Sequence, residues 1–138
     1  MAITRIYNHT AKRLLSDVNP LTDDLVLALA SSFTFDATDT TLAGITWTEV
    51  SGNGYSRQSL ANVTVDTVTT NDALIDADNV SITASGGSID ANYALIFDNT
   101  LANDPPLLAI DFEGTESAGD GTPFNVIFPN GLVAGTVA

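Results

Sequence analysis

The chain has 138 residues, 44% of them hydrophobic and only 15% charged, with a formal charge of −13 and a pI near 4.1. That length suits one domain with a core of its own, and the acidity leaves no electrostatic footprint for nucleic acid or an anionic membrane. There is no cysteine, which excludes disulfides, zinc–thiolate centres and cysteine nucleophiles.

The charge is unevenly placed. Residues 1–16 carry Arg5, Lys12 and Arg13 and no acid, a balance of +3. The remainder sets Arg57 against all seventeen acids, a balance of −16. The cationic segment is a candidate for docking on an acidic surface, and Arg57, the one positive charge on the acidic body, for a buried or intersubunit ion pair, so Arg5, Lys12, Arg13 and Arg57 are the candidate partner-contact residues. The opening "MAITRIYNHTAKRLL" is broken by charge and polarity and does not read as a signal peptide. The longest apolar run, 25–30, is far too short to span a bilayer.

In chain order, the first element is a helix over residues 9–17. Asn8 or Thr10 is placed to cap it, Leu14, Leu15 and Val18 give it an apolar side, and Asn19-Pro20 stops it, because a residue before proline avoids the α region. His9, the only histidine, sits at the mouth of this helix as a capping or surface residue, with no partner at metal-ligand or catalytic spacing. The rest of the chain reads as strands. Residues 24–30 read as a buried strand, built on the short apolar run 25–30. Residues 45–50 alternate, with Trp47 at the strand centre and in the core. Further strands are predicted at 62–68, over 73–83 as one bent or two short pieces, and at 92–98, 106–112, 123–128 and 131–137. The stretch 31–44 has no period and reads as a long surface loop. About eight short strands separated by Gly, Asn, Asp and Pro turns predict an all-β module over 1–138, a β-sandwich or jelly roll, with 1–20 as an N-terminal arm and short helix. Pro105, Pro106, Pro123 and Pro129 are placed to blunt strand edges.

The stretch "WTEVSGNGYSRQ", residues 47–58, holds the only Trp and two spaced glycines. A dinucleotide loop needs a third glycine and a following helix; here Gly54 leads into strand-like sequence. Asn53-Gly54 is instead the favoured pair for a turn with two positive φ angles, so the stretch reads as strand, hairpin corner, strand. The acid stretches 36–39, 76–79 and 111–120 do not match a calcium loop. They read as capping and turn residues, with calcium the one cofactor left open and none expected. Glu49, Glu113 and Glu116 are the only glutamates, a thin supply for paired-carboxylate glycoside chemistry. A serine triad would have to use His9, and no serine sits in a nucleophile elbow. No constellation of catalytic, cofactor-binding or metal-ligating residues stands out, which points to a non-enzymatic binding or structural role.

The order of motifs resembles a group of small structural proteins of tailed bacteriophages. The features that carry the likeness are Tyr7-Asn8 with Lys12 and Leu14-Leu15, then "LTDDLVLALASS", the corner "EVSGNGY", "LIDADNVSIT", "ALIFDNT" and "PLLAIDF". They cover nearly the whole chain in the same order; "DADN" departs from the group's commoner "DADD", and 31–44 is not comparable. The resemblance implies a virion component assembled in the host cytoplasm. The expected role is a capsid decoration, or cement, protein bound to the outside of the major capsid protein lattice, as a homo-oligomer and in trimeric form at threefold positions. Alternatives are a tail, neck or fibre-associated adaptor, and then a carbohydrate-binding module. The last needs exposed aromatic platforms, which a buried Trp47 does not supply.

Overall fold

A computed structural model describes residues 3–67, 72–128 and 131–136. The predicted strand at 131–137 and the Pro129 edge position lie partly or wholly outside those residues. Among the described residues, one short α-helix accompanies eleven strands: β1 (Ile3–Ile6), α1 (Thr10–Ser16), β2 (Leu25–Thr34), β3 (Thr46–Glu49), β4 (Gln58–Ser59), β5 (Thr64–Asp66), β6 (Asp72–Asp76), β7 (Val80–Thr83), β8 (Ile89–Asp98), β9 (Pro106–Ala118), β10 (Pro123–Val126) and β11 (Val133–Thr136). The all-β expectation holds, in the form of one large antiparallel sheet covered by two small ones. The large sheet runs β1-β9-β8-β2-β3, with β4 on the same edge of β2 as β3; the small ones are β10-β7 and β11-β6-β5.

The centre of the large sheet is apolar on both faces, which is why "LVLALA" and "ALIF" do not alternate. Leu25, Leu27, Leu29, Ala94 and Ile96 point into a core closed by Val80 and Ile82 of β7, Phe124 and Val126 of β10, and Ile75 of β6. Val26, Ala28, Leu95, Phe97 and Ala109 point the other way, into a second core with Tyr7 and Ile45. The second core is covered by the stretch predicted as a surface loop. Its first four residues extend β2, and the rest folds back over the sheet, packing Phe35 and Leu42 onto it. Backbone bonds from Asn8 N to Ala37 O at 2.9 Å and from Leu42 N to Asn103 O at 3.2 Å hold it down. Its apolar residues are irregularly spaced because it is a lid, not a strand.

The corner at residues 52–55 forms, but the hairpin does not. Asn53 (φ 54°) and Gly54 (φ 83°) both have positive φ, and Tyr55 N donates to Gly52 O at 3.0 Å, closing the two-residue turn. The flanking strands do not pair with each other. β3 and β4 run in one direction along the same edge of β2, Glu49 opposite Ala30 and Gln58 opposite Leu27. The segment between them leaves the edge and docks its tip on the β7–β8 connection, where Ser85 N donates to Asn53 O at 2.9 Å and Asn53 Nδ2 donates to Ser88 O at 2.7 Å. A turn signal specifies local dihedrals; which strands then pair is settled by the sheet.

Two more expectations need correction. Neither Asn8 nor Thr10 caps α1: His9 occupies the cap position with no side-chain capping bond. The prolines at 105 and 106 do not blunt an edge, since both are buried at the start of β9. A proline at a strand's first residue removes no ladder bond.

Candidate functional site

The N-terminal segment is built outward from the sheet. β1 pairs antiparallel with β9, Ile3 opposite Asp111 through Ile6 opposite Leu108, and all four of its residues are exposed. Tyr7 then turns inward, 2% exposed, with its ring 4.8 Å from Phe35. The start of α1 is fixed to β9 by two side-chain bonds: Thr10 Oγ1 donates to Leu107 O at 2.6 Å, and His9 Nε2 lies 2.7 Å from Pro106 O. His9 therefore stands at the cap position, as expected, but its ring makes no capping bond and serves as an anchor on β9 instead. With Val18 buried at the far end of the segment, the helix is held at both ends and shows its outer side to solvent.

The exposure of this N-terminal stretch, residues 3–21, is unusual. Six large apolar side chains are exposed among the described residues, and four of them, Ile3, Ile6, Leu15 and Leu21, lie in this segment. Leu15 is 91% exposed, so the predicted apolar side of the helix turns only partly inward, through Leu14 and Val18. Arg5, Lys12 and Arg13 are interspersed with these residues. Arg5 Nη2 lies 3.7 Å from Asp111 Oδ2, and Arg13 pairs with Asp17 one helical turn on. Lys12 enters no ion pair among the described residues. Three of the four predicted contact residues thus lie on one stretch of the chain, Arg5 on β1 and Lys12 and Arg13 on α1.

Arg57 is not with them. It sits at the opposite edge of the large sheet, where Nε donates to Glu49 Oε1 at 2.8 Å and Nη2 to Glu49 Oε2 at 2.9 Å. Its guanidinium lies 5.3 Å from the centre of the Phe97 ring and 6.0 Å from that of Trp47. Hydrogen bonding to Arg57 holds the Glu49 carboxyl below its usual range, and the same bonds raise the Arg57 pKa. Tyr55 completes the network: its hydroxyl accepts the Leu29 N–H at 3.0 Å and donates to Glu49 Oε1 at 2.8 Å. Burial pushes its phenol pKa up.

Trp47 is half-buried, not core. A bulge in β2 between Ala30 and Ser32 shifts the strand's phase, so that Phe33 and Trp47 pair at the open end of the second face. Phe33 lies 6.5 Å from Trp47 and 5.6 Å from Tyr93, centre to centre. The only cue in the sequence was Ser31-Ser32 interrupting an apolar run.

At the other end of β2 and β8, Asp98 is fully buried. Its Oδ1 accepts from Thr100 N at 2.8 Å and Leu101 N at 3.3 Å, while Oδ2 has no hydrogen-bond donor. Burial, and then the neighbouring Asp23 carboxyl, push its pKa up to about 6. Nothing in the sequence set Asp98 apart from the other acids.

The acid stretches behave as turn residues. Asp36 Oδ1 accepts from Thr38 N and Oγ1, Asp76 Oδ1 from Ala77 N, and Asp111 Oδ1 from Glu113 N. Among the described residues no three carboxylate or imidazole groups come together as a metal-binding set, and no helix is long and apolar enough to cross a membrane. No protein-family model, curated protein or solved structure matches the chain.

Proposed function

We propose that the protein is a non-enzymatic virion component, a capsid decoration protein that attaches to the major capsid protein lattice through its N-terminal segment. The observation that carries the proposal is the joint concentration of exposed apolar side chains and cations in residues 3–21. Interfaces combine apolar and charged side chains, and this stretch carries both kinds on a body of opposite charge. The resemblance of the motif order to tailed-phage structural proteins supplies the kind of partner. The segment is also well anchored, through Tyr7, His9, Thr10 and Val18, so the exposed residues are presented on a rigid element and little ordering entropy is lost on docking. A trimer centred on lattice threefold positions suits such a role.

The test is occupancy on capsids stripped of the protein. The variant Arg5→Gln/Lys12→Gln/Arg13→Gln is expected to bind several-fold more weakly at low salt, and raising salt should weaken the wild type toward the variant. Equal occupancy of the two proteins at low salt would remove the segment from the interface.

A further inference from the structure

The outer edge of β1 is an unfilled place in the large sheet. β1 pairs with β9 on one side, and no strand of the described residues lies beyond it. Alternate residues of an antiparallel strand turn their N–H and C=O to opposite sides. Tyr7 N donates to Leu107 O at 3.4 Å, so Tyr7, Arg5 and Ile3 face β9 while Thr4 and Ile6 face outward. The same alternation, carried through β9, β8 and β2, turns Leu25 and Leu29 toward the far edge, where their carbonyls accept from Leu60 N and Val50 N. At that edge the Leu29 N–H is taken up by Tyr55. β1 has no such cover. Its register with β9 is free of bulges, its sequence has no proline, and all four residues are exposed, Ile3 and Ile6 among them. An unprotected edge of this kind is a template for another short strand.

We propose that this edge takes up an extended, acidic segment of the capsid protein, which joins the sheet beyond β1 through the N–H and C=O groups of Thr4 and Ile6. The inference rests on the reading that the N-terminal stretch docks on the capsid. Charge sets the chemistry of the incoming strand. Residues 1–16 carry three cations and no acid. The contact of Arg5 with Asp111 is long, at 3.7 Å, and leaves Arg5 half-exposed. Pairing with β9 puts Ile3 and Arg5 on the face of Ala109, and Thr4 and Ile6 on the face of Leu108 and Ile110. An incoming strand therefore needs a carboxylate opposite Arg5 and apolar residues on either side of it, opposite Thr4 and Ile6. A second copy of β1 does not meet this. The twofold antiparallel register that uses Thr4 and Ile6 of both copies sets Arg5 directly opposite Arg5 of the other copy, and like charges so placed are destabilising.

The test separates backbone pairing from side-chain contact. Thr4→Pro removes one outward N–H and none that β9 uses, a substitution an edge strand tolerates. Thr4→Val changes the same side chain and keeps the N–H, and so is the reference. On capsids stripped of the protein, Thr4→Pro is expected to bind about tenfold more weakly than Thr4→Val, because an interface hydrogen bond is lost and its acceptor is left bare. Hydrogen exchange in decorated particles, compared with the free chain, is the second readout and needs no variant. The Thr4 and Ile6 amides face water in the free chain and should exchange about tenfold or more slowly on the particle. Either equal occupancy of the two variants or unslowed exchange overturns the inference. Should Thr4→Pro lower the melting temperature, exchange in the wild type decides alone. Exchange that slows with rising protein concentration in the absence of capsids would assign the edge to a second copy, and overturn the inference as well. A wild type that fails to bind stripped capsids removes the docking reading itself, and the capsid strand with it.

Discussion

Glu49 and Arg57 grip each other through two parallel hydrogen bonds, 2.8 and 2.9 Å long, at the two ends of the segment that leaves the edge of β2. The pair closes the detour at its base. Inside it, Tyr55 reaches back to the sheet and takes up the Leu29 N–H, which the departing strand would otherwise leave without an acceptor. Tyr55→Phe should therefore cost about 1–2 kcal/mol, the penalty for an unsatisfied backbone donor. Arg57→Gln should cost less, about 0.5–1 kcal/mol, because the pair is partly exposed and screened. Urea unfolding of the two variants ranks them, and the opposite order would mean that the ion pair, not the phenol, holds the detour.

The tip of the same segment depends on Gly54. A Cβ there would lie 2.9 Å from Thr83 O and 3.2 Å from Ser85 N, at a φ of 83°. Gly54→Ala combines backbone strain with a backbone clash and should destabilise by about 2–3 kcal/mol. Gly52→Ala also has positive φ, but its Cβ would meet nothing within 4 Å, so it should cost about 1 kcal/mol. Similar melting temperatures for the two variants would contradict the docked tip.

Asp98 should govern the acid side of the stability curve. Its pKa is about 6 in the folded chain and near 4 in an unfolded one. The folded state therefore binds the proton more tightly. The stability contributed by the protonated carboxyl is fully present below about pH 4 and is lost as pH rises through about 6. Asp98→Asn keeps an acceptor for Thr100 and Leu101 and adds a donor toward Asp23. It should raise stability at pH 7 by about 1–2 kcal/mol, since a tenfold difference in proton affinity is worth about 1.4 kcal/mol. It should also flatten the slope between about pH 4 and 6. A variant less stable than wild type at pH 7 would mean that the charge is needed there.

Much of the fold was legible because burial on two faces writes itself into sequence as unbroken apolar runs. Residues 25–30 and 94–97 are such runs, and they are the centre of the large sheet. The short helix was legible from the Asn19-Pro20 break that follows it, although it ends earlier, at Ser16. β1 was not, since four exposed residues on an edge carry no burial pattern. The lid over the second core was missed for a related reason, its contacts being made by irregularly placed Phe35 and Leu42. Asn53-Gly54 announced its own dihedrals correctly and said nothing of which strands would pair. The candidate contact residues were found by charge alone. Their grouping with Ile3, Ile6, Leu15 and Leu21 needed the coordinates, because exposure of an apolar residue is a property of the packed chain.

The proposal that the protein decorates a capsid is tested most directly by counting it. Quantitative mass spectrometry of purified particles, grown from the genome that encodes this chain, gives its copy number relative to the major capsid protein. A lattice decoration protein is expected in numbers on the order of hundreds per particle, in a fixed ratio to the capsid subunit. A count of about a dozen or fewer would place it in the tail or neck, and absence from the particle would contradict a virion role altogether.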